Sequence, residues 1–325
     1  MRILSIHKKY HIILGGTLKL FTQDKYTKIA LILGVFVFWT IGIEANANKI
    51  VFVSIAPQKY FVNQIAGNLI DVTVMVEPGA SPATYEPRPK QMAALTKAQM
   101  YFSIGIPFED IWLRKFSQTN KNMLIVDTSS GIEKIPMLLH YHNNEEHVEG
   151  QERINEFENN RHIGKPDPHI WLSPPLATLQ VNTIFNSLVK LDPANAQKYK
   201  ENHNIFIAKI NNLHEEIKKI LAGKKGQRFL VSHPAWGYFA KTYGLIQIPI
   251  EIEGKNPKPS QLTELILYAK RMDINSIFVQ PQFSAKAARV LSKEINGNVF
   301  IANSLAINWP ENLLQVAESI KNTLR

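Results

Sequence analysis

Cysteine is absent from all 325 residues. That excludes disulfide staples, thiolate metal sites and a lipid anchor on cysteine. The fold must therefore be held by its core, which a chain of this length can bury. Excess charge is modest once the start of the chain is set aside. The formal net charge is +10, but the first 47 residues hold six Lys/Arg and two Asp/Glu, leaving +6 for the remainder. No basic stripe interleaved with aromatics runs through that remainder, so no nucleic-acid partner is expected. Long apolar runs are also scarce. Ile29–Ile43 gives 15 residues without a charge, short of the roughly 20 that span a bilayer. Lys25 and Lys28 precede it and Ala45-Asn46-Ala47 follows, the layout of a secretion signal cleaved near Ala47. An uncleaved membrane anchor is the alternative. Residues 1–47 are read as a signal peptide, and the rest as exported to the periplasm.

The remaining chain alternates short β-branched runs with helical periodicity. Ile50–Ala56, Val72–Val76, Met100–Ile104 and Met123–Val126 read as strands, with helices over Lys59–Ala66, Gln91–Ala98 and Phe108–Phe116 between and after them. The second half repeats the scheme. Its strands are Phe229–Ser232, Ile246–Ile252, Ser276–Val279 and Val299–Ala302, with helices near Tyr238 and over Leu262–Met272, Ala285–Ile295 and Glu311–Thr323. Buried runs separated by helices indicate parallel sheets built from βαβ units. The fold class expected is α/β, with two similar lobes joined by one long rigid helix. The N-terminal lobe is placed at 48–192, the linking helix at 193–222 and the C-terminal lobe at 223–325. In the linking helix Asp192-Pro193 opens a stretch without Pro or Gly in which Tyr199, Ile205, Ile207, Ile210, Leu213, Ile217 and Leu221 recur at helical spacing. His203 and His214 on that helix read as surface residues. Segment 131–166 differs from its surroundings, with His140, His142, His147 and His162 among many glutamates. Its composition suits a mobile loop, either a solvated insert or a weak collector of metal.

Two histidines stand out. Asp167-Pro168-His169-Ile170-Trp171 and Ser232-His233-Pro234-Ala235-Trp236 each hold a histidine against a proline with a tryptophan following. Neutral imidazoles on stiff loops in different halves of a chain suit a metal held between lobes. A third loop, Pro78–Pro87, carries no histidine.

These motifs, with Pro89 and Met92, the Asp192-Pro193-Ala194-Asn195 helix start, Glu253-Gly254-Lys255-Asn256-Pro257 and Phe278-Val279-Gln280-Pro281, resemble in order and spacing the metal-binding solute receptors of ABC transporters, the zinc and manganese group called cluster A-I. The likeness runs from about Lys49 to the C-terminus. It implies two lobes with a metal buried between them, little domain movement and no catalysis. It also implies four ligand positions, which fall on Ala83, His169, His233 and Asn303. Ala83 cannot bind metal, and Asn303 stands where the family has Asp. Zn²⁺ prefers four ligands from imidazole, carboxylate or thiolate. Two imidazoles and an amide leave it short of a ligand and of an anion, so Glu86, Gln280 or a histidine of the 131–166 loop is expected to complete the set. Histidine at 233 favours Zn²⁺ over Mn²⁺. The resemblance implies a membrane ABC permease as partner, and we expect the receptor to act as a monomer. The same fold with an altered site could instead bind a metal chelate or small anion, or be a degenerate receptor. A hydrolytic reading, with an open two-His zinc site activating water, lacks an HExxH pattern or an obvious general base.

Overall fold

The computed structural model describes residues 48–138, 163–252 and 254–323. The expected signal peptide and the His/Glu-rich part of the 131–166 segment lie outside the described residues. The N-terminal half runs β1 (Lys49–Val53), α1 (Ala56–Ala66), β2 (Ile70–Val74), α2 (Pro89–Leu95), β3 (Met100–Ser103), α3 (Pro107–Thr119) and β4 (Leu124–Asp127). β5 (Pro136–Leu138) and β6 (Ile163–Pro166) then pair antiparallel. The described ends of the 131–166 segment are therefore zipped to each other, contrary to a loop mobile throughout. α4 (Pro174–Leu191) and α5 (Ala196–Ile220) lead into the C-terminal half: β7 (Arg228–Val231), α6 (Gly237–Tyr243), β8 (Ile246–Pro249), α7 (Pro259–Arg271), β9 (Ser276–Val279), α8 (Lys286–Glu294), β10 (Asn298–Ile301) and α9 (Trp309–Thr323).

Both main sheets are parallel and share one topology. The N-terminal sheet has the order β2-β1-β3-β4, and the C-terminal sheet has β8-β7-β9-β10. Each half is thus the same winding of four strands, with the carboxyl ends of its first and third strands side by side at the centre. Helix starts follow a recurrent local rule. α1, α2 and α7 each carry proline in the first turn, where its missing N–H costs nothing. Each also has glutamine at its third position, and Gln58, Gln91 and Gln261 accept the backbone N–H groups of Ile55, Arg88 and Lys258 at 3.3, 2.9 and 2.9 Å. These are the return halves of capping boxes.

One continuous core joins the halves. β7 and β9 show the two-residue alternation of a sheet buried on both faces. Phe229, Val231 and Phe278 face the large core shared with the N-terminal sheet. Leu230, Ile277 and Val279 face a smaller core under α7 and α8. α9 belongs to the C-terminal half in sequence but packs on α5. Its Trp309 meets Phe61 of α1 edge to face at 5.1 Å, and Phe61 in turn lies 6.0 Å from Phe206 of α5.

The linking helix is shorter than its periodicity suggested. Pro193–Asn195 forms a separate 3-10 turn because the Asp192 carboxylate takes Asn195 Nδ2 at 2.8 Å and the Tyr199 hydroxyl at 2.6 Å. The 25 residues of α5 then span about 37 Å. Its buried stripe runs Tyr199, Phe206, Ile210, Leu213 and Ile217, and Ile205 is exposed. His203 and His214 are half-buried rather than on the surface. One stacks on Phe185 at 4.4 Å and bonds Asn182, and the other bonds the Tyr243 hydroxyl.

Candidate metal centre

His169 follows β6 and opens the 3-10 turn Ile170–Leu172. Asp167 organises the approach: its Oδ1 accepts the His169 backbone N–H at 2.9 Å and lies 2.6 Å from His169 Nδ1. The loop is stitched to the C-terminal half. The Tyr238 hydroxyl of α6 donates to the Asp167 carbonyl at 3.0 Å. Trp171 Nε1 donates to the Ser304 carbonyl at 2.6 Å, and Trp309 Nε1 to the Trp171 carbonyl at 2.7 Å. Gly237 permits this closeness, since a β-carbon there would come within 2.9 Å of Asp167 Oδ2 and 3.0 Å of Gln247 Nε2.

His233 lies two residues beyond β7, with Pro234 following it. Gln247 on β8 holds the following turn, its Oε1 accepting the Trp236 N–H at 3.0 Å and its Nε2 donating to the Pro234 carbonyl at 3.3 Å. Phe283 stacks on the imidazole at 4.7 Å. The Nδ1 atom is 2.6 Å from Glu251 Oε1. Glu251 was not singled out in the sequence. The signal for it is register: Val231 pairs with Pro249, so His233 and Glu251 stand at equal height beyond neighbouring strands.

The structure brings the two histidines together, with ring centres 5.3 Å apart and planes at 72°. Both Nδ1 atoms face a carboxylate, which makes Nδ1 the protonated nitrogen and leaves each Nε2 lone pair available. An imidazole bound to zinc through Nε2 at about 2.0 Å has its centre about 3.2 Å from the ion, so two at a tetrahedral angle are about 5.2 Å apart. The observed 5.3 Å matches that spacing.

The other expected donors fall in different places. Gln280 is buried at the end of β9, its backbone N–H on Ser232 Oγ at 3.2 Å and its Nε2 without a hydrogen-bond partner. Asn303 Oδ1 accepts Gln282 Nε2 at 3.0 Å and the Leu305 N–H at 3.1 Å. Two hydrogen bonds fill a carbonyl oxygen, so in this arrangement Asn303 has no lone pair to offer. Ala83 and Glu86 are exposed, and Glu86 makes no hydrogen bond or ion pair among the described residues. The loop bearing them is tied to α3 through the Phe108 N–H on the Pro82 carbonyl at 3.2 Å. Among the described residues no three His, Asp or Glu side chains converge as a metal cluster.

The carboxyl edge of the N-terminal sheet is closed by a different device. Glu109 of α3 is buried and accepts the Ile104 N–H at 3.1 Å, the Gly105 N–H at 2.7 Å and the Ser54 hydroxyl. Gly105 makes the turn possible with φ +83°, a conformation that favours glycine. Burial outweighs these hydrogen bonds and pushes the Glu109 carboxyl up to about 7.

Two parallel-sheet lobes on a shared core, with paired imidazoles at a carboxyl edge, define the class as a two-lobed metal-binding receptor. The chain belongs to the family described as "Zinc-uptake complex component A periplasmic", whose model matches residues 51–323. It is accordingly a binding protein and not an enzyme. It is 30% identical over 256 residues to the high-affinity zinc uptake system protein ZnuA of Bacillus subtilis, covering 77% of this chain and 76% of that one. It is 29% identical over 280 residues to the zinc-binding protein AdcA of Streptococcus pyogenes, spanning 84% of this chain and 54% of that longer one. A crystal structure of ZnuA aligns with TM-score 0.74 and 38% identity over 85% of this chain and 99% of that one. A manganese-bound periplasmic metal-binding protein from Candidatus Liberibacter asiaticus, at 21% identity and TM-score 0.70 over 85% of this chain and 99% of that one, shares the fold.

Proposed function

We propose that this protein captures Zn²⁺ between His169 and His233 outside the cytoplasmic membrane and delivers it, as a monomer, to an ABC permease. The observation that carries the reading is the imidazole pair at 5.3 Å, each ring fixed through Nδ1. Gln280 Oε1 serves as third donor, since its amide is buried beside the strand that carries His233, and water completes four-coordination. Nitrogen-rich ligation favours zinc over manganese. Residues 1–47 act as the export signal. Isothermal titration of residues 48–325 with Zn²⁺ and Mn²⁺ tests this, with tighter zinc binding expected. Zinc affinity no better than tens of micromolar counts against it.

A second reading keeps the fold and changes the cargo to a metal chelate or small anion. The occupied Asn303 oxygen and the exposed Ala83 favour it. Metal analysis of protein purified without chelator separates the two, because a cleft empty of metal even after zinc supplementation selects the second.

A further inference from the structure

A zinc ion held by His169, His233 and an amide would have two positive charges and no anion bonded to it. Uncompensated buried charge is costly, so a counter-charge is required within a few ångströms. Ala83 and Asn303 are neutral, and Glu86 is exposed. Among the described residues two carboxylates stand against the histidines, Asp167 and Glu251, whose side chains are 1% and 11% exposed. Each stands 2.6 Å from an imidazole Nδ1. Together they carry two negative charges, one behind each ring.

The two are not equivalent. Asp167 also accepts the His169 backbone N–H and packs against Gly237, so it shapes its loop whether or not metal binds. The side chain of Glu251 makes one hydrogen bond among the described residues, to His233. Such a buried acid does little for the fold alone, and its desolvation is rewarded when the imidazole it faces carries a cation.

We infer that Glu251 is a positioning residue for zinc: it fixes His233 in the Nδ1–H tautomer and supplies the counter-charge that the acid at the position of Asn303 would otherwise provide. This deepens the zinc reading and rests on it. A carboxylate behind a ligating histidine sharpens its orientation and basicity, and removing such a partner typically weakens metal binding about 10–100-fold.

The test uses residues 48–325 with zinc affinity read by competition against a chromogenic chelator. Glu251→Gln keeps an acceptor for Nδ1 but removes the charge. It should weaken zinc binding about 10–100-fold, while the metal-free melting temperature moves by no more than about 2 °C. Asn303→Asp in the Glu251→Gln background should recover at least about tenfold. An aspartate there can accept the same two hydrogen bonds with one oxygen and present the other to the metal. Histidine ¹⁵N shifts of the metal-free protein report the tautomer directly, and Glu251→Ala should move His233 from a single Nδ1–H form to a mixture. Wild-type zinc affinity in Glu251→Gln, or failure of Asn303→Asp to restore it, overturns the counter-charge role. An unchanged tautomer in Glu251→Ala overturns the positioning role. If the wild type binds no zinc, the receptor reading and the counter-charge role fail together, while the tautomer measurement still decides the positioning role.

Discussion

At the scale of single residues the site is a matter of which nitrogen is free. With Nδ1 of both rings committed to carboxylates, His169→Ala and His233→Ala should each lower zinc affinity by at least about 100-fold, since each removes a direct ligand and leaves a carboxylate without its partner. Titration calorimetry of the two variants checks this. Glu109 has its own pH signature. Its carboxyl is raised from 4.5 to about 7, so the folded protein binds that proton more tightly than the unfolded chain. Its contribution to stability is full below pH 4.5 and is lost as pH rises to 7, a swing of about 3 kcal/mol at most. Urea melts of wild type and Glu109→Gln across pH 4.5–8 should show the difference shifting in favour of the variant as pH rises. A pH-independent difference would contradict the raised carboxyl. The histidines were legible in the sequence because proline and tryptophan mark stiff loops. Glu251 was not, because pairing it with His233 needs the β7–β8 register, and nothing local in Ile250-Glu251-Ile252 distinguishes a buried acid from a solvated one.

At the scale of elements, the eight strands of the two main sheets fall where β-branched runs predicted them, six of them ending one to three residues earlier than expected. Burial on both faces leaves the inner strands β1, β3, β7 and β9 little choice of sequence. Helix starts were less legible. α1 and α3 begin earlier than their apolar periodicity suggested, because proline in the first turn and side-chain returns extend a helix beyond its buried stripe. The linking helix shows the opposite, losing its first turn to the Asp192 side chain. The packing of α9 on α5 could not be read at all, since an amphipathic stripe does not name its partner. That packing has a measurable weight. Trp309 is fully buried against Phe61 and bonds the Trp171 carbonyl, so Trp309→Ala should cost about 3–5 kcal/mol in urea unfolding. Because Trp171 lies two residues from His169, the same variant should also weaken zinc binding.

At the scale of the whole molecule, the shared core decides how the two lobes behave. Phe229, Val231, Trp236 and Trp309 from the second half pack in one cluster with the β1 and β3 residues of the first. Opening a hinge between the lobes would expose that surface to water, at about 25 cal/mol for each Å² of apolar area. Residues 48–325 should therefore unfold in a single calorimetric transition, with the two enthalpy measures agreeing. Zinc should change the radius of gyration in solution scattering by less than about 1 Å. Two resolved transitions, or a larger contraction, would show that the lobes are independent.

The repeated winding of the two sheets has a consequence of its own. Their equivalent edges have been finished differently from one template. Where the second half presents His233 and Gln280 after its first and third strands, the first half presents Ile55 and Ile104 in the same register, with Glu109 engaging Ile104 and the neighbouring Ser54. One copy is plugged by its own acid, and the other has an acid set one layer back, behind a histidine. The duplication thus supplies a built-in reference within the molecule. A residue that matters for holding the sheet should have a counterpart in both copies, whereas one that matters for cargo should break the symmetry, as His233 and Glu251 do.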